Sequence, residues 1–473
     1  MDLSSKSVLV VGAGIMGAGI AQVAAQAIRG EGQQVFLHDA REGAAVEAKG
    51  KLVVTLQGLV TKGKLTAQAC EGALARIVPI SVLADARGVG LVVEAIVEKL
   101  DVKRSLFREL EDLVAEDCVL ATNTSSISVT AIANGLKRPE RLVGMHFFNP
   151  VPLMKLVEVV SGLHTEASVA AAIFELSKLW GKVPVHAKST PGFIVNRIAR
   201  PYYAETLALM QEQAAVPEVL DACLKTVGFR MGPCELMDLI GHDTNFAVTN
   251  SVYEANFYDK RYVPSLMQRE LVDGGMLGRK TGRGFYRYPE GVPPLPKVTV
   301  EPVEASAAAR AAADDRHGGV VVQGVHIVPT DGRTAREWAR DLGTNAVVVH
   351  DRVMGKGALA FATAPGLSAE QRAVAVAHLL SQGLEPCEAA DTPGLVVART
   401  VAMLINEAAD AVHQGVCTPE GADAAMKMGV NYPAGPFEWL AGWNVAGVVA
   451  LLDRLDAHYR GERYRVSPWL RAQ

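Results

Sequence analysis

Ser7-Val8-Leu9-Val10-Val11-Gly12-Ala13-Gly14-Ile15-Met16-Gly17 decides the fold. Residues 7–11 form an apolar run, the pattern of a strand buried on both faces. The run passes directly into glycines at 12, 14 and 17. Ala18-Gly19-Ile20-Ala21-Gln22-Val23-Ala24 continues as a helix of small residues. Strand, glycine turn and helix in this order make a dinucleotide fingerprint. Gly12 serves the tight turn, Gly14 the close approach of a pyrophosphate, and Gly17 the packing of helix on strand. Ile15 and Met16 then open the helix, whose N–H groups and positive dipole end favour phosphate. A second apolar strand, Gln34 to His38, ends at Asp39, 27 residues past Gly12. The polar insertion Arg29-Gly30-Glu31-Gly32-Gln33 accounts for the excess over the usual interval of roughly 20. A carboxylate at Asp39 accepts ribose hydroxyls and repels an extra phosphate, which selects NAD over NADP. Arg41, two residues on, is a cation that would soften the preference.

The same alternation continues outward. Val89 to Ile96 reads as a buried strand, Leu100 to Ala115 as a helix, and Cys118 to Thr124 as a strand opening into Ser125 and Ser126. This β-α-β order implies a parallel, doubly wound sheet. Glu98, Asn123 and Ser125 fall at its carboxyl edge, where such sheets bind ligands. Ser126 reads as a helix N-cap.

Gly144 to Val160 contains two apolar β runs around the polar loop Asn149-Pro150-Val151-Pro152. Folded as a hairpin about Pro152, it sets Phe148 opposite Leu156 and His146 opposite Glu158, with close Cβ atoms. A carboxylate on one ring nitrogen fixes the histidine tautomer, stabilises imidazolium and leaves the other nitrogen for proton transfer. From the residues alone, a structural ion pair at a sheet edge is the alternative.

Global properties fit an ordinary globular α/β enzyme. The chain has 473 residues, 49% hydrophobic and 21% charged, enough for two to four domains. A net charge of −4 gives no reason to expect a nucleic-acid or membrane surface as partner. No apolar run reaches the length of a membrane span, and Met1-Asp2-Leu3-Ser4-Ser5 lacks the start of a signal peptide. Cys70, Cys118, Cys223, Cys234, Cys387 and Cys417 are scattered without a CxxC pair, against a disulfide framework or zinc site. The expected location is the cytoplasm.

The chain resembles the bacterial 3-hydroxyacyl-CoA dehydrogenases of the 3-hydroxybutyryl-CoA and 3-hydroxyadipyl-CoA type. The stretches that carry the resemblance are Gly12 to Ala21, Glu94-Ala95-Ile96-Val97-Glu98, Asn123-Thr124-Ser125-Ser126, His146-Phe147-Phe148-Asn149-Pro150, Pro191-Gly192-Phe193-Ile194-Val195-Asn196-Arg197 and Gly278 to Tyr286. They cover residues 1–287 almost continuously. The resemblance implies NAD-dependent, reversible oxidation of an (S)-3-hydroxyacyl-CoA to the 3-ketoacyl-CoA, in fatty-acid or aromatic (phenylacetate) catabolism. It places the acid/base on His146, its partner on Glu158, the substrate-binding serine on Ser125 and the active-site asparagine on Asn196. It assigns NAD contacts to Asp39, Glu98, Lys103 and Asn123. CoA phosphates need cations, and Lys49, Lys51, Lys62 and Lys64 lie in the arm where family members contact CoA. Arg197 and Arg200, beside Asn196, are placed either to meet a distal substrate carboxylate or to pair with acids in their own helix.

The implied fold is an α/β Rossmann doubly wound sheet (1–187) followed by an all-α helical domain (188–287). A Pro/Ala-rich linker (288–318), a short α/β spacer (319–390) and a second copy of the helical domain (391–473) complete the chain. The linker is read from Pro289, Pro293, Pro294, Pro296 and Pro302 and the alanine-rich run to Arg316, for which a short helix is the alternative. The second copy is read from Thr190 to Arg197 aligning with Thr392 to Arg399 at an offset of 202; Glu205, Pro217 and Asp221 then meet Glu407, Pro419 and Asp423. Asn196 becomes Ala398, so the second copy has lost a donor. The copies are expected to pack as an intrachain pseudo-dimer, with homo-oligomers a further expectation; two tethered, independent domains are the alternative. A start directly at the nucleotide strand leads us to expect a monofunctional enzyme meeting enoyl-CoA hydratase or thiolase transiently. A sugar-acid (L-gulonate-like) dehydrogenase or a lambda-crystallin-like structural protein is the competing reading on the same fold.

Overall fold

Val8–Val11 (β1) is buried along its whole length, as its unbroken apolar sequence requires. In the computed structural model, which describes residues 2–28, 30, 32–296, 298, 313–314 and 318–473, it is an interior strand of an eight-stranded sheet. The other strands are Val35–His38 (β2), Ile77–Ile80 (β3), Leu91–Glu94 (β4), Val119–Thr122 (β5), Leu142–Phe147 (β6), Leu156–Ser161 (β7) and Val183–Lys188 (β8), in the order β3-β2-β1-β4-β5-β6-β7-β8. Pairing is parallel from β3 through β6. The order reverses between β1 and β4, and that switch point opens a crevice at the carboxyl ends of the strands. β7 runs back antiparallel to β6, in the register that sets His146 opposite Glu158. Ile15–Ala27 (α1) and Ala167–Leu179 (α6) pack on the sheet, and Leu100–Leu113 (α4) lies between β4 and β5 in the chain. The arm between β2 and β3 is Ala44–Thr61 (α2) and Ala67–Arg76 (α3).

This sheet belongs to a first compact unit, residues 1–195 with 415–430. The discontinuity has a packing cause: the helix Pro419–Val430, from the second helical copy, lies against β7 and β8. Within the insertion, Gln33 ties the chain down. Its Oε1 accepts from the Gly30 amide and its Nε2 donates to the Ser4 and Lys6 carbonyls. Arg29 and Glu31 lie outside the described residues.

The second unit holds residues 196–414 and 431–473. A six-stranded sheet occupies the stretch read as a spacer: Ala313–Asp314 (β9), Val320–Val322 (β10), Val325–Pro329 (β11), Val347–His350 (β12), Gly357–Thr363 (β13) and Leu384–Glu388 (β14). The rest of the alanine-rich run, with Pro302 and Arg316, lies outside the described residues; the two of its residues that are described, Ala313 and Asp314, are strand. β12–β13 pair antiparallel and β13–β14 parallel, repeating β6–β7–β8. The 202-residue offset holds in register too, since Val157 pairs with Pro184 and Leu359 with Pro386.

Carrying the offset across the ladder shows what became of the hairpin pair. Glu158 corresponds to Ala360, and the residue opposite Ala360, in the place of His146, is Asp351. Asp351 is fully buried and accepts from the amides of Val396, Val397 and Ala398. In the first copy Glu158 accepts from the equivalent amides of Ile194 and Val195. Both copies thus satisfy the start of a helix with a buried carboxylate, but from opposite strands.

The helical copies meet inside the second unit. Arg200–Gln211 (here α8; Val195–Ile198 is α7, Val129–Ala133 is α5) packs on the helix Val397–His413. Arg197 Nε donates to Glu407 (2.6 Å) and Arg399 Nε to Glu205 (2.8 Å). Arg197 Nη1 reaches Gln414, as Arg399 Nη1 reaches Glu212. Arg261 and Tyr262 bond Glu407, as Arg463 and Tyr464 bond Glu205. Each pair of equivalents differs by 202 positions, so the contact is self-complementary like a two-fold dimer interface. Removing one partner of such a buried pair costs about 3–5 kcal/mol, because it strands a charge.

Burial pushes the Asp351 carboxyl up to about 6, against backbone N–H bonds that pull it down. Its unfolded value lies near 3.8, so the unfolded chain releases the proton first on raising the pH. The associated stability, about 3 kcal/mol at most, is therefore present below pH 4 and lost as pH rises through 6. Thermal midpoints of wild type and Asp351→Asn across pH 4–7 should show the wild-type advantage shrinking with pH; an advantage that grows would contradict the account.

Candidate active site

The glycine loop follows from close contacts. Gly12 has φ +106°, and a Cβ there would stand 2.4 Å from the Ala95 carbonyl oxygen. A Cβ on Gly17 would stand 1.7 Å from the Gly12 oxygen. Gly14 differs: nothing of the protein lies within 4 Å of where its Cβ would be. Its freedom from a side chain serves something approaching from outside, at a helix start that has no side-chain cap and no acid in its first turn. The cradle fits a pyrophosphate. Ile15 is exposed at its mouth, and Met16 is half-buried behind it.

Asp39 joins the second strand end to this loop. Its Oδ2 accepts from the Ala13 amide (2.7 Å) and its Oδ1 from the Arg41 amide (2.9 Å). The Arg41 guanidinium turns away and forks onto Glu47 (3.0 and 2.7 Å). The cation that would have softened the preference for NAD is thereby engaged elsewhere.

Beyond β4 lies a buried charge network. Glu94, wholly buried, bonds Lys103 (2.6 Å) and Thr122 Oγ1 (2.7 Å). Lys103, 1% exposed, also pairs with Glu98 (3.1 Å). Glu98 Oε1 then accepts from Thr124 Oγ1 (2.7 Å) and from the amides of Ser125 (2.8 Å) and Ser126 (3.1 Å). Burial pushes the Glu98 carboxyl upward, but Lys103 and these hydrogen bonds outweigh it and hold the group below its ordinary value. Glu98 stays ionised and folds the turn that presents Ser125. Lys103 acts on the site through Glu98. Ser126 is not a helix cap: its amide and hydroxyl both donate to Glu98, and the cap of α5 is Ser128, which accepts from Ala131. Asn123 braces the next strand, its Oδ1 accepting from the Phe147 amide (2.8 Å).

That strand carries the histidine. His146 Nδ1 donates to Glu158 Oε2 (2.6 Å), and both side chains are buried. Phe148 and Phe193 flank the ring at 4.5 and 5.8 Å. Glu158 Oε1 accepts from Ile194 and Val195 (3.0 Å each), fixing the chain immediately before Asn196. His146, Glu158, Ser125, Asn123, Glu98 and Asp39 all belong to the first unit; Asn196 opens the second. Lys49 and Lys51 are on α2, with Lys62 and Lys64 in the turn that follows; all but the half-buried Lys49 are exposed. Sequence reasoning left Glu94 and Thr124 without a role. The signal for Glu94 was there: a carboxylate closing an otherwise apolar buried strand demands a partner.

Residues 7–190 match the 3-hydroxyacyl-CoA dehydrogenase NAD binding domain. Residues 192–288 and again 394–472 match the 3-hydroxyacyl-CoA dehydrogenase C-terminal domain. Residues 327–393 match the 3-hydroxybutyryl-CoA dehydrogenase reduced Rossmann-fold domain. The chain is 45% identical to a 3-hydroxyadipyl-CoA dehydrogenase of Escherichia coli (strain K12), over 100% of its own length and 98% of that protein's. It is similar to the crystal structure of a 3-hydroxybutyryl-CoA dehydrogenase from Escherichia coli K12, with TM-score 0.93 and 45% identity over 99% of this chain and 98% of that one. A (S)-3-hydroxybutyryl-CoA dehydrogenase from Ralstonia eutropha is 41% identical over 60% of this chain and 98% of its own, with TM-score 0.57.

Lys103→Met should lower the thermal midpoint by the equivalent of about 3–5 kcal/mol, since Glu94 is left buried and unpaired. It should also weaken NADH binding as the Glu98 turn loosens. Fluorescence titration of NADH beside a melting curve tests both; wild-type binding in a destabilised variant would detach Glu98 from the cofactor edge.

Proposed function

The chain belongs to the 3-hydroxyacyl-CoA dehydrogenase family and is an NAD-dependent oxidoreductase of that kind, and we propose that His146 and Glu158 carry its proton chemistry. The observation that supports this most is the 2.6 Å bond from His146 Nδ1 to a buried glutamate. It commits Nδ1–H to Glu158 and leaves the Nε2 lone pair for the 3-hydroxyl proton. NAD, when bound, accepts the hydride from C3. As that hydroxyl becomes a ketone, imidazolium forms beside Glu158, whose negative charge stabilises it. In the reductive direction the same imidazolium returns the proton to the developing alkoxide. Phe148 and Phe193 keep water from the ring.

Gly12, Gly14, Ile15, Met16 and Gly17 form the pyrophosphate cradle, and Asp39 receives the adenosine ribose hydroxyls. Glu98, positioned by Lys103, and Asn123 form the nicotinamide side. Ser125 and Asn196 donate to the substrate oxygens, stabilising charge where it develops. Lys49, Lys51, Lys62 and Lys64 offer cations to the CoA phosphates. The reciprocal Arg197–Glu407 and Arg399–Glu205 pairs support an intrachain pseudo-dimer standing in for the dimer of single-copy relatives. Among the described residues no helix is long and apolar enough to cross a membrane, and we assign the enzyme to cytoplasmic fatty-acid or aromatic (phenylacetate) degradation, where hydratase and thiolase are its transient neighbours.

Purified protein should oxidise NADH with acetoacetyl-CoA and reduce NAD with 3-hydroxyadipyl-CoA. His146→Gln should lower kcat on the order of 10²-fold or more with NADH affinity retained. A near-wild-type rate in that variant would remove His146 from the chemistry.

A further inference from the structure

Two arginines follow Asn196, and their surroundings differ. Arg197 is spent on Glu407 and Gln414. Arg200, one helical turn past Asn196, is 7% exposed. Its Nε donates to the Asn196 carbonyl (3.0 Å) and its Nη1 to Thr249 Oγ1 (3.1 Å), and its guanidinium stands 4.9 Å from the centre of the Tyr203 ring. Among the described residues none of its partners is a carboxylate, whereas the buried Arg197, Arg261 and Arg399 and the half-buried Arg463 of the same unit each have one. A buried cation without a counter-charge is costly, and a site that supplies its anion only when loaded is one way to justify it.

A second observation points to the same place. Arg200 lines a cavity of about 50 Å³ together with Tyr203, Ser265, Gln268 and Arg463. The Ser265 hydroxyl is buried there with no hydrogen-bond partner. Ser265 is also the N-cap of the helix Leu266–Asp273, and its side chain does not cap the helix, so the positive end of that helix borders the same space. Arg463 is already neutralised by Glu205. The unbalanced charge of the cavity is therefore that of Arg200. A water needs roughly 10–15 Å³ by such a measure, so the space suits a carboxylate with an adjoining methylene.

We propose that Arg200 is a specificity-determining residue that receives the distal carboxylate of a dicarboxylic 3-hydroxyacyl-CoA, with the Ser265 hydroxyl as second donor. The assignment rests on the reading that Asn196 bonds the substrate beside C3. One helical turn rises about 5.4 Å. In a six-carbon dicarboxylic chain, C3 lies three C–C bonds from the terminal carboxyl carbon, about 4 Å at roughly 1.5 Å per bond. The carboxylate oxygens extend that reach to Arg200. A four-carbon monocarboxylic chain stops short and leaves the guanidinium uncompensated.

The test compares kcat/KM for 3-hydroxyadipyl-CoA and 3-hydroxybutyryl-CoA in wild type, Arg200→Met, Arg200→Lys and Ser265→Ala. Wild type should prefer the adipyl substrate. Arg200→Met should lower the adipyl-to-butyryl ratio by on the order of 10- to 100-fold, the scale of a charge-assisted hydrogen bond, chiefly through KM. Arg200→Lys should keep part of the ratio, and Ser265→Ala should lower it several-fold; these two carry the test if the methionine variant does not fold. A ratio unchanged in every folded variant, or a wild type indifferent to the distal carboxylate, overturns the assignment of Arg200. A wild type inactive on both substrates overturns the dehydrogenase reading and this one with it.

Discussion

Glu158 has two oxygens and two tasks. Oε2 holds His146, and Oε1 holds the amides of Ile194 and Val195. Because the carboxylate is wholly buried, neither bond is exchanged for water, and both are needed to compensate its charge. The bond to the ring fixes the orientation of the imidazole. The bonds to the amides fix the chain that leads into Asn196. The hairpin register, the histidine tautomer and the start of the helical region are thus set by one side chain.

The second copy separates these tasks. It has no equivalent of the His–Glu pair, since Asp351 and Ala360 occupy those two places. It keeps the bonds to the helix amides, made by Asp351 from the opposite strand. A buried carboxylate therefore persists where the His–Glu pair is absent, because the first N–H groups of a buried helix need an acceptor in either case. The asparagine at 196 likewise has no counterpart in the second copy, where Ala398 takes its place.

Buried charge elsewhere is mostly answered by an opposite charge, although Lys182 bonds only the carbonyls of Val151 and Met154 and Asp351 only backbone amides. Lys103 answers Glu94, and four arginines answer Glu205, Glu407 and Asp410 in a set repeated by the duplication. Such pairs contribute little net stability, but they are intolerant of a missing partner, so they enforce the register of the two helices. Arg200 stands outside this arithmetic.

The local signals in the sequence were sufficient for much of this. The glycine fingerprint, the carboxylate at Asp39 and the period-two pattern around His146 each act within a few residues, and β1, α1 and the β6–β7 register follow from them. The repeat at an offset of 202 likewise marked the helices that meet. Other elements were illegible. Gly357–Thr363 is alanine-rich and weak in β propensity, and it is a strand because both its faces are buried, Leu359 and Phe361 in one apolar cluster and Ala362 in another. Ser126 looked like a cap because the sequence does not show that Glu98 comes within hydrogen-bonding reach of the turn. Sequence by itself determined the chemistry available: which strand carries the dinucleotide turn, which histidine faces which glutamate, and that the helical module is duplicated. Only the tertiary structure decided which charges are answered. Arg197 and Arg200 are three residues apart and alike in sequence, and their difference is that Glu407, more than two hundred residues away, reaches one and not the other.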